Sequence, residues 1–222
     1  MRNGRRRAAC AFAVPMAAVT AALTLVGCGG SDDGPTRERR ERPTTSPDAR
    51  RGPWGDGGKA AEAGRTVGAP GSPCTLPVAF SAARGWKAES VPKGTHRQGT
   101  VEVACEIDAK PAGNIGYLRV WTGDGDSPRA ALEAFAEDRH PERRRHRTTE
   151  AGDGGTALAE VSYLSRTVLD GEELDRKPVL AFAADTGDGR LVIVELGGTD
   201  AEEHRAMLPA YLLAKKTLKV RG

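Results

Sequence analysis

The pattern of hydrophobic and polar positions divides the chain into three parts. Residues 8–27 form an uncharged hydrophobic run, residues 29–73 are rich in glycine, proline and charge, and residues 74–222 carry periodic hydrophobic positions. A segment as poor in apolar residues as the middle one cannot bury enough surface to offset its ordering entropy. The pattern therefore predicts a globular domain over 74–222, preceded by a disordered tether.

Period-two hydrophobicity within the predicted domain indicates six strands. In one of them, Val101, Val103, Cys105 and Ile107 would share a face. The runs "VLAFAA" and "LVIVEL" are apolar on both faces, which is typical of central strands covered by helices on each side. The predicted strands cover residues 85–91, 101–107, 115–122, 156–169, 177–185 and 190–197.

Two amphipathic segments predict helices. Ser127 and Pro128 supply an N-cap and a preset first residue for one helix. The other, near the C-terminus, would open with Thr199 and Glu202 as a capping box, and Pro209 should kink or divide it. The fold class expected is α/β (α+β), with a mixed or antiparallel sheet of about six strands covered by two helices.

Residues 1–27 have the layout of a lipoprotein signal peptide. A basic start, "MRNGRRR", precedes the hydrophobic run, which ends in Leu25-Val26-Gly27-Cys28. These four residues resemble the bacterial lipobox. The resemblance implies lipidation of Cys28, cleavage before it, and a chain lipid-anchored at the extracytoplasmic face of the cell membrane, with residues 28–73 as lipidated N-terminus and tether. An uncleaved transmembrane anchor is the alternative, because about 20 apolar residues can just span a bilayer.

The net charge of the chain gives no reason to expect a nucleic-acid partner. The formal charge is +3, and loss of the four arginines in the basic start would bring it to −1. A chain so nearly neutral lacks the electrostatic footprint of a protein that binds nucleic acid.

The four cysteines fall into two groups. Cys10 lies inside the signal segment and Cys28 is the lipidation residue, which leaves Cys74 and Cys105 in an oxidising compartment. We expect these two to form a disulfide, which would stabilise the fold by about 3 to 4 kcal/mol. Two free buried thiols are the alternative; a metal site fits poorly because neither cysteine has a histidine near it.

The segment "RHPERRRHR" at 139–147 is the most distinctive local feature. Arg143, Arg144, Arg145 and Arg147 could bind phosphate, a lipid headgroup or an acidic face of a partner protein. The alternative is a solvated loop without a binding role.

Other motifs with catalytic or metal-binding potential are better explained by local structure. Asp185-Thr186-Gly187 has the core of an aspartic-protease motif, but no second such loop occurs, and a hairpin turn explains it. Asp124 and Asp126 begin like a calcium loop, but the later ligand positions are absent. We therefore expect no catalytic residues, no metal site and no cofactor.

The element order, with the Gly85-Trp86 start of the first clear strand and the closing amphipathic helix, resembles the Mog1/PsbP-type sandwich found in actinobacterial envelope lipoproteins. Among such lipoproteins are those of the CseA type, which accompany a sensor kinase of the cell-envelope stress response. The resemblance implies a non-enzymatic lipoprotein that binds and modulates an envelope partner such as a sensor kinase. The alternative is a binding module for a small or lipidic ligand, carried between the sheet and the terminal helix.

Overall fold

The computed structural model describes residues 52–152, 155–170 and 172–221, which belong to one compact unit, Thr44–Gly222. The predicted signal peptide, the lipidation of Cys28 and the tether as far as residue 51 lie outside the described residues. The elements are β1 (Ala63–Val67), β2 (Val78–Ala83), β3 (Lys87–Ser90), β4 (Arg97–Gln98), β5 (Val101–Asp108), β6 (Gly116–Asp124), α1 (Pro128–Glu137), β7 (Glu142–Ala151), β8 (Thr156–Leu169), β9 (Glu172–Asp185), β10 (Arg190–Gly198), α2 (Ala201–Thr217) and β11 (Lys219–Val220).

An eight-stranded antiparallel sheet forms the centre of the fold, with the order β3-β5-β6-β10-β9-β8-β7 and β4 paired to β5. A smaller antiparallel sheet has the order β1-β2-β11. The predicted class of a sheet covered by two helices is confirmed, but the expected number of about six strands is too low. The polar strands β4 and β7 were missed because they lack alternating apolar residues.

Two hydrophobic clusters lie on opposite faces of the large sheet. On one face α1 packs with Leu132 and Phe135 against β8, β9 and β10. On the other face α2 and the small sheet pack together, with Met207 and Tyr211 directed at the large sheet. The central strands β9 and β10 are therefore covered on both faces, as their continuous apolar runs predicted.

Strand β5 does not keep its apolar residues on one face, so that prediction is wrong. The pairing with β6 shifts between Val103 and Cys105, which makes Ala104 the extra residue of a β-bulge. Val103 consequently packs in the α1 cluster, whereas Cys105 packs on the α2 side. There it forms the predicted disulfide with Cys74, with the two Cα atoms 5.9 Å apart.

The ordered domain begins earlier than the predicted boundary at residue 74. β1 pairs with β2, Val67 is buried, and Trp54 packs against the main core. The sequence of this segment gave little sign of this, because its many glycines and charges are typical of a tether. Its few apolar residues gain their stability from contacts distant in sequence.

Both helices have well-defined starts. Ser127 caps α1 and accepts a hydrogen bond from the Ala130 N–H at 3.3 Å, as expected. Asp200, rather than the predicted Thr199, caps α2, and its carboxylate accepts from the N–H groups of Glu202 and Glu203. Of the two outcomes predicted at Pro209, a kink or a division, the division does not occur, because α2 continues past Pro209 to Thr217.

Candidate functional site

The four arginines singled out in the sequence lie on β7, a strand at the edge of the large sheet, and not in a loop. Alternation along a strand sends successive side chains to opposite faces. Arg145 pairs in register with Ser162 of β8, and both line the space next to α2. Arg144 forms an ion pair with Glu137 of α1, on the opposite face.

Arg147 belongs to a buried ionic network. Its Nε donates to Glu160 at 2.5 Å and its Nη1 donates to Asp56, also at 2.5 Å. Glu160 is completely buried and accepts further hydrogen bonds from the Tyr211 hydroxyl at 3.0 Å and from Lys215 Nζ at 3.1 Å. Because two carboxylates already engage Arg147, this residue stabilises the fold, in contrast to the anion-binding role predicted for it.

The network also fixes residues 52–58, which we call the strap. The Trp54 ring lies over the Arg147 guanidinium at 4.4 Å, and Asp56 forms its ion pair with the same group. Gly55, at φ +69°, approaches Leu208 of α2. Just after the strap, the N–H of Ala61 donates to the carbonyl of Pro209 at 2.8 Å. The strap is thus held against the face of α2 that looks away from the protein centre.

A pocket of about 270 Å³ lies between β7, β8 and the first half of α2, next to the start of the strap. We call it the arginine pocket. Its lining residues are Gly52, Pro53, Arg143, Arg145, Ser162, Tyr163, Leu164, Pro178, Ala201, His204, Arg205 and Leu208.

The lining combines positive charge with apolar surface. Arg143, Arg145 and Arg205 are exposed, and no carboxylate of the described residues lies within 4.0 Å of their nitrogens. No aspartate or glutamate lines the pocket, whereas Leu164 and Leu208 contribute apolar walls. Such a site can hold an anion together with a short apolar group.

His204 adds a buried polar group to the same pocket. It is only 6% exposed, and its Nδ1 atom has no hydrogen-bond partner among the residues that the structure describes. Burial, with a smaller effect from the nearby charge of Arg205, lowers the pKa of His204 to about 4. The imidazole is therefore neutral at neutral pH and offers one donor and one acceptor nitrogen.

A second buried carboxylate, Glu195, is accounted for by structural contacts. Its Oε2 accepts from the Trp121 indole at 3.0 Å, and its Oε1 lies 2.6 Å from Nη1 of Arg139. Nε and Nη2 of Arg139 donate to Gln98 at 2.9 and 2.7 Å. This network joins the end of α1 to β4 and β10. None of its side chains lines the arginine pocket.

The hairpin that was compared with an aspartic-protease loop is a turn held by its own side chains. Asp185 accepts from the Gly187 N–H at 2.8 Å, and Asp188 accepts from Thr186 and Arg190. The hydrogen bonds from Arg190 and then Thr186 lower the pKa of Asp188 to about 2. All the polar residues of the motif are thus explained by the turn.

Among the residues that the structure describes, no three or more His, Cys, Asp or Glu residues are grouped so that they could hold a metal ion. In the same ranges, no helix has both the length and the apolar character needed to cross a bilayer.

The sequence predicted only some of the charged and polar residues of the arginine pocket. It indicated Arg143 and Arg145, but Arg205 and His204 were missed because each is an isolated residue in a helix. The spacing of His204 and Leu208 was a detectable signal, because residues four positions apart lie on one face of a helix.

Comparisons with known proteins give a match to a family model and a distant structural likeness. A family model described as an uncharacterised lipoprotein matches residues 44–218. The solution structure of cyanobacterial PsbP (CyanoP) from Synechocystis sp. PCC 6803 is similar over 65% of this chain and 86% of that one, with 12% sequence identity and a TM-score of 0.44. No curated protein matches the sequence.

Proposed function

This chain belongs to a family of uncharacterised lipoproteins, and we propose on that premise that its domain binds a small, partly apolar anion in the arginine pocket. Family membership makes the protein a membrane-associated lipoprotein of the cell envelope. The role proposed for the domain is binding and not catalysis.

The observation that carries the proposal is the composition of the pocket. Three arginines without a carboxylate partner in the described residues line a space with leucine and proline walls, and the side chain of His204 lines the same space. The arginines would neutralise the anion, and the apolar walls would hold its adjoining carbons.

We further propose that Cys28 carries the anchor and that residues 28–51 connect it to the domain. The lipobox-like residues before Cys28 and the lipoprotein family support this part of the proposal. An anchor of this kind holds the arginine pocket within reach of the membrane surface, where anions with an apolar part are concentrated.

The test is a binding titration of the mature-length chain carrying Cys28→Ala, which keeps it free of lipid. Octanoate, octyl phosphate and neutral octanol are titrated by calorimetry. We expect at least one of the two anions to bind, and octanol to bind at least tenfold more weakly.

Arg145→Gln and Arg144→Gln form a matched pair for this test. The two residues are neighbours on one strand, but Arg145 lines the pocket and Arg144 is paired with Glu137 on the opposite face. We expect at least a tenfold loss of anion affinity for Arg145→Gln and less than a twofold change for Arg144→Gln. Binding of neither anion, or equal effects of the two substitutions, would contradict the proposal.

A second candidate function is modulation of an envelope partner protein such as a sensor kinase. The observation that favours it is the position of β7, which ends the order of the large sheet and carries exposed arginines. An edge strand has unpaired backbone groups that can pair with a strand of another protein, and its positive charges favour an acidic segment.

This second function predicts a partner that can be captured in the membrane. A photoreactive side chain at Thr148, an exposed position of β7, should crosslink the anchored protein to a membrane protein. Deletion of the gene should also change the transcription of envelope-stress genes under cell-wall antibiotics. An unchanged transcriptional profile and no crosslinked product would rule this function out.

A further inference from the structure

The arrangement of charge in the arginine pocket indicates which chemical class of anion the pocket binds. We infer that the pocket recognises a terminal phosphate monoester attached to an apolar group. This inference rests on the proposed function, since it names the chemical class of the ligand for the same site.

The first argument is the amount of uncompensated charge. Arg143, Arg145 and Arg205 bring three positive charges to a lining that contains no aspartate or glutamate. On α2 the Glu203 carboxylate accepts from the Ile115 N–H at 3.1 Å. Glu142 lies 3.4 and 3.5 Å from the guanidinium groups of Arg166 and Arg176, respectively, and Asp200 caps the start of α2. A phosphate monoester carries between one and two negative charges at neutral pH, so it matches this excess better than a carboxylate does.

The second argument is the placement of the arginines on two walls. Arg143 and Arg145 come from β7, whereas Arg205 comes from α2 on the other side of the pocket. A carboxylate offers two oxygens in one plane, which a single guanidinium can satisfy. A terminal phosphate offers three oxygens in different directions, so it can accept from guanidinium groups on both walls at once.

His204 supplies the third argument, because it lies in the same wall as Arg205 and lines the pocket. A neutral imidazole can donate to a phosphate oxygen or accept from the hydroxyl of a singly protonated phosphate. A fully ionised carboxylate can accept a hydrogen bond but has no proton to donate, so it can pair with only one of the two tautomers of the histidine.

The size of the pocket limits what else the ligand contributes. A volume of about 270 Å³ is near the lower end of the range of small-molecule sites, which is about 300 to 1,000 Å³. The pocket therefore holds the phosphate and the first carbons next to Leu164, Pro178 and Leu208, while a long chain would extend outside. This geometry suits both a free phosphate ester and the headgroup of a lipid whose tails stay in the membrane.

The experiment compares ligands on the mature-length Cys28→Ala chain. Octyl phosphate, octanoate and inorganic phosphate are titrated by calorimetry, and phosphatidylcholine vesicles with and without 10 mol% phosphatidic acid are tested by co-sedimentation. We expect octyl phosphate to bind at least tenfold more tightly than octanoate and than inorganic phosphate. Sedimentation with the phosphatidic acid vesicles would identify a lipid source, and octyl phosphate binding without it would identify a free ester.

Two variants separate recognition from folding. His204→Gln and Arg205→Gln should each reduce the preference for octyl phosphate over octanoate at least fivefold, whereas Arg144→Gln should leave it unchanged. Circular dichroism of each variant shows whether the fold is kept, and the Arg205 position is exposed, so its substitution tests the site even if His204→Gln unfolds.

The outcomes distinguish this inference from the proposed function. Equal affinity for octanoate and octyl phosphate would overturn the inference and leave the anion site standing. Binding of neither would overturn both. A preference for octyl phosphate that survives Arg205→Gln and Arg145→Gln would show that another surface recognises the phosphate, which also overturns the inference.

Discussion

At the residue scale, the molecule places its charged groups in two different settings. Glu160 is fully buried and is surrounded by Arg147, Lys215 and the Tyr211 hydroxyl. Burial raises the pKa of Tyr211 well above 10, so its hydroxyl remains a donor to the carboxylate. On β7, a few residues before Arg147, Arg143 and Arg145 are exposed beside the pocket. The first setting serves stability and the second is available for binding.

Substitution of Glu160 by Gln should destabilise the domain. The change removes the negative charge between Arg147 and Lys215, which leaves Lys215 without its carboxylate partner and Arg147 paired with Asp56 alone. We expect the free energy of unfolding to fall by about 3 kcal/mol. Urea denaturation followed by circular dichroism measures it. The control is Glu150→Gln, at an exposed position of β7, which should change the value by less than about 0.5 kcal/mol; a Glu160 effect as small as this would contradict the structural role of the network.

The stability of the domain should fall as the pH decreases from 7.5 to 5. The pKa of His204 is about 4 in the folded chain and 6.5 for an ordinary histidine, so the unfolded chain takes up the proton first. Stability is therefore complete above pH 6.5 and is lost toward pH 4, by about 2 kcal/mol over the measured interval. Burial also lowers the pKa of His146, which adds to the loss in the same direction.

Urea titrations of His204→Gln at the two pH values check this origin. The variant should lose clearly less stability between pH 7.5 and 5 than the unsubstituted chain, whereas His96→Gln, at an exposed histidine, should lose as much. Identical pH dependence in the unsubstituted chain and in His204→Gln would show that His204 is not the titrating group.

At the scale of the elements, α2 packs against several parts of the molecule at once. Met207, Tyr211 and Ala214 pack on the large sheet, while Ala210 and Leu213 pack on Ala83 of the small sheet. The strap covers a further part of its surface at Leu208. The helix is therefore held from several directions along its second half, and its first half is left to form a wall of the arginine pocket.

The strap should loosen when its ion pair is removed. Asp56→Asn takes away the charge that pairs with Arg147, while the Arg147 contact with Glu160 remains. We expect faster hydrogen exchange at the Gly58 and Ala61 N–H groups, and a change in the free energy of global unfolding of less than about 1 kcal/mol. Asp126→Asn, at an exposed position before α1, is the matched control and should alter neither. Unchanged protection of the strap in Asp56→Asn would mean that the ion pair does not hold it.

The sequence predicted those elements whose pattern is local. β8 and β10 show it, since a run such as "LVIVEL" is apolar because both of its faces are covered, and Ser127 with Pro128 marks the start of α1. The polar strand β7 and the early strand β1 were missed, because their strand structure depends on partners distant in the chain. For the same reason the sequence predicted only part of the pocket, because Arg145 and His204 are 59 positions apart and meet only in the folded chain.

At the scale of the whole molecule, the proposed anchor and the domain have separate determinants. The described residues from 52 onward hold the core, the disulfide and the pocket, whereas Cys28 lies in the preceding part of the chain. Loss of the anchor should therefore change where the protein is found without changing how the domain folds.

Replacement of Cys28 by Ala should release or misprocess the protein, because the thiol that would accept the lipid is absent. Membrane and soluble fractions of cells producing the variant are compared by immunoblotting, and the protein recovered is examined by circular dichroism. Cys10→Ala, inside the predicted signal segment, is the control and should leave the anchored form unchanged. A Cys28→Ala protein that stays membrane-bound at mature size would refute the proposed lipidation.

The bulge at Ala104 has a consequence for folding in an oxidising compartment. It turns Cys105 to the side of the sheet where Cys74 lies, whereas a β5 that paired with β6 without the extra residue would direct Cys105 toward α1. Cys74 and Cys105 are 31 positions apart, so oxidation can join them before the sheet forms as well as after it. Once closed, the disulfide is compatible with the bulged register, and it disfavours a pairing of β5 with β6 that lacks the extra residue and turns Cys105 toward α1.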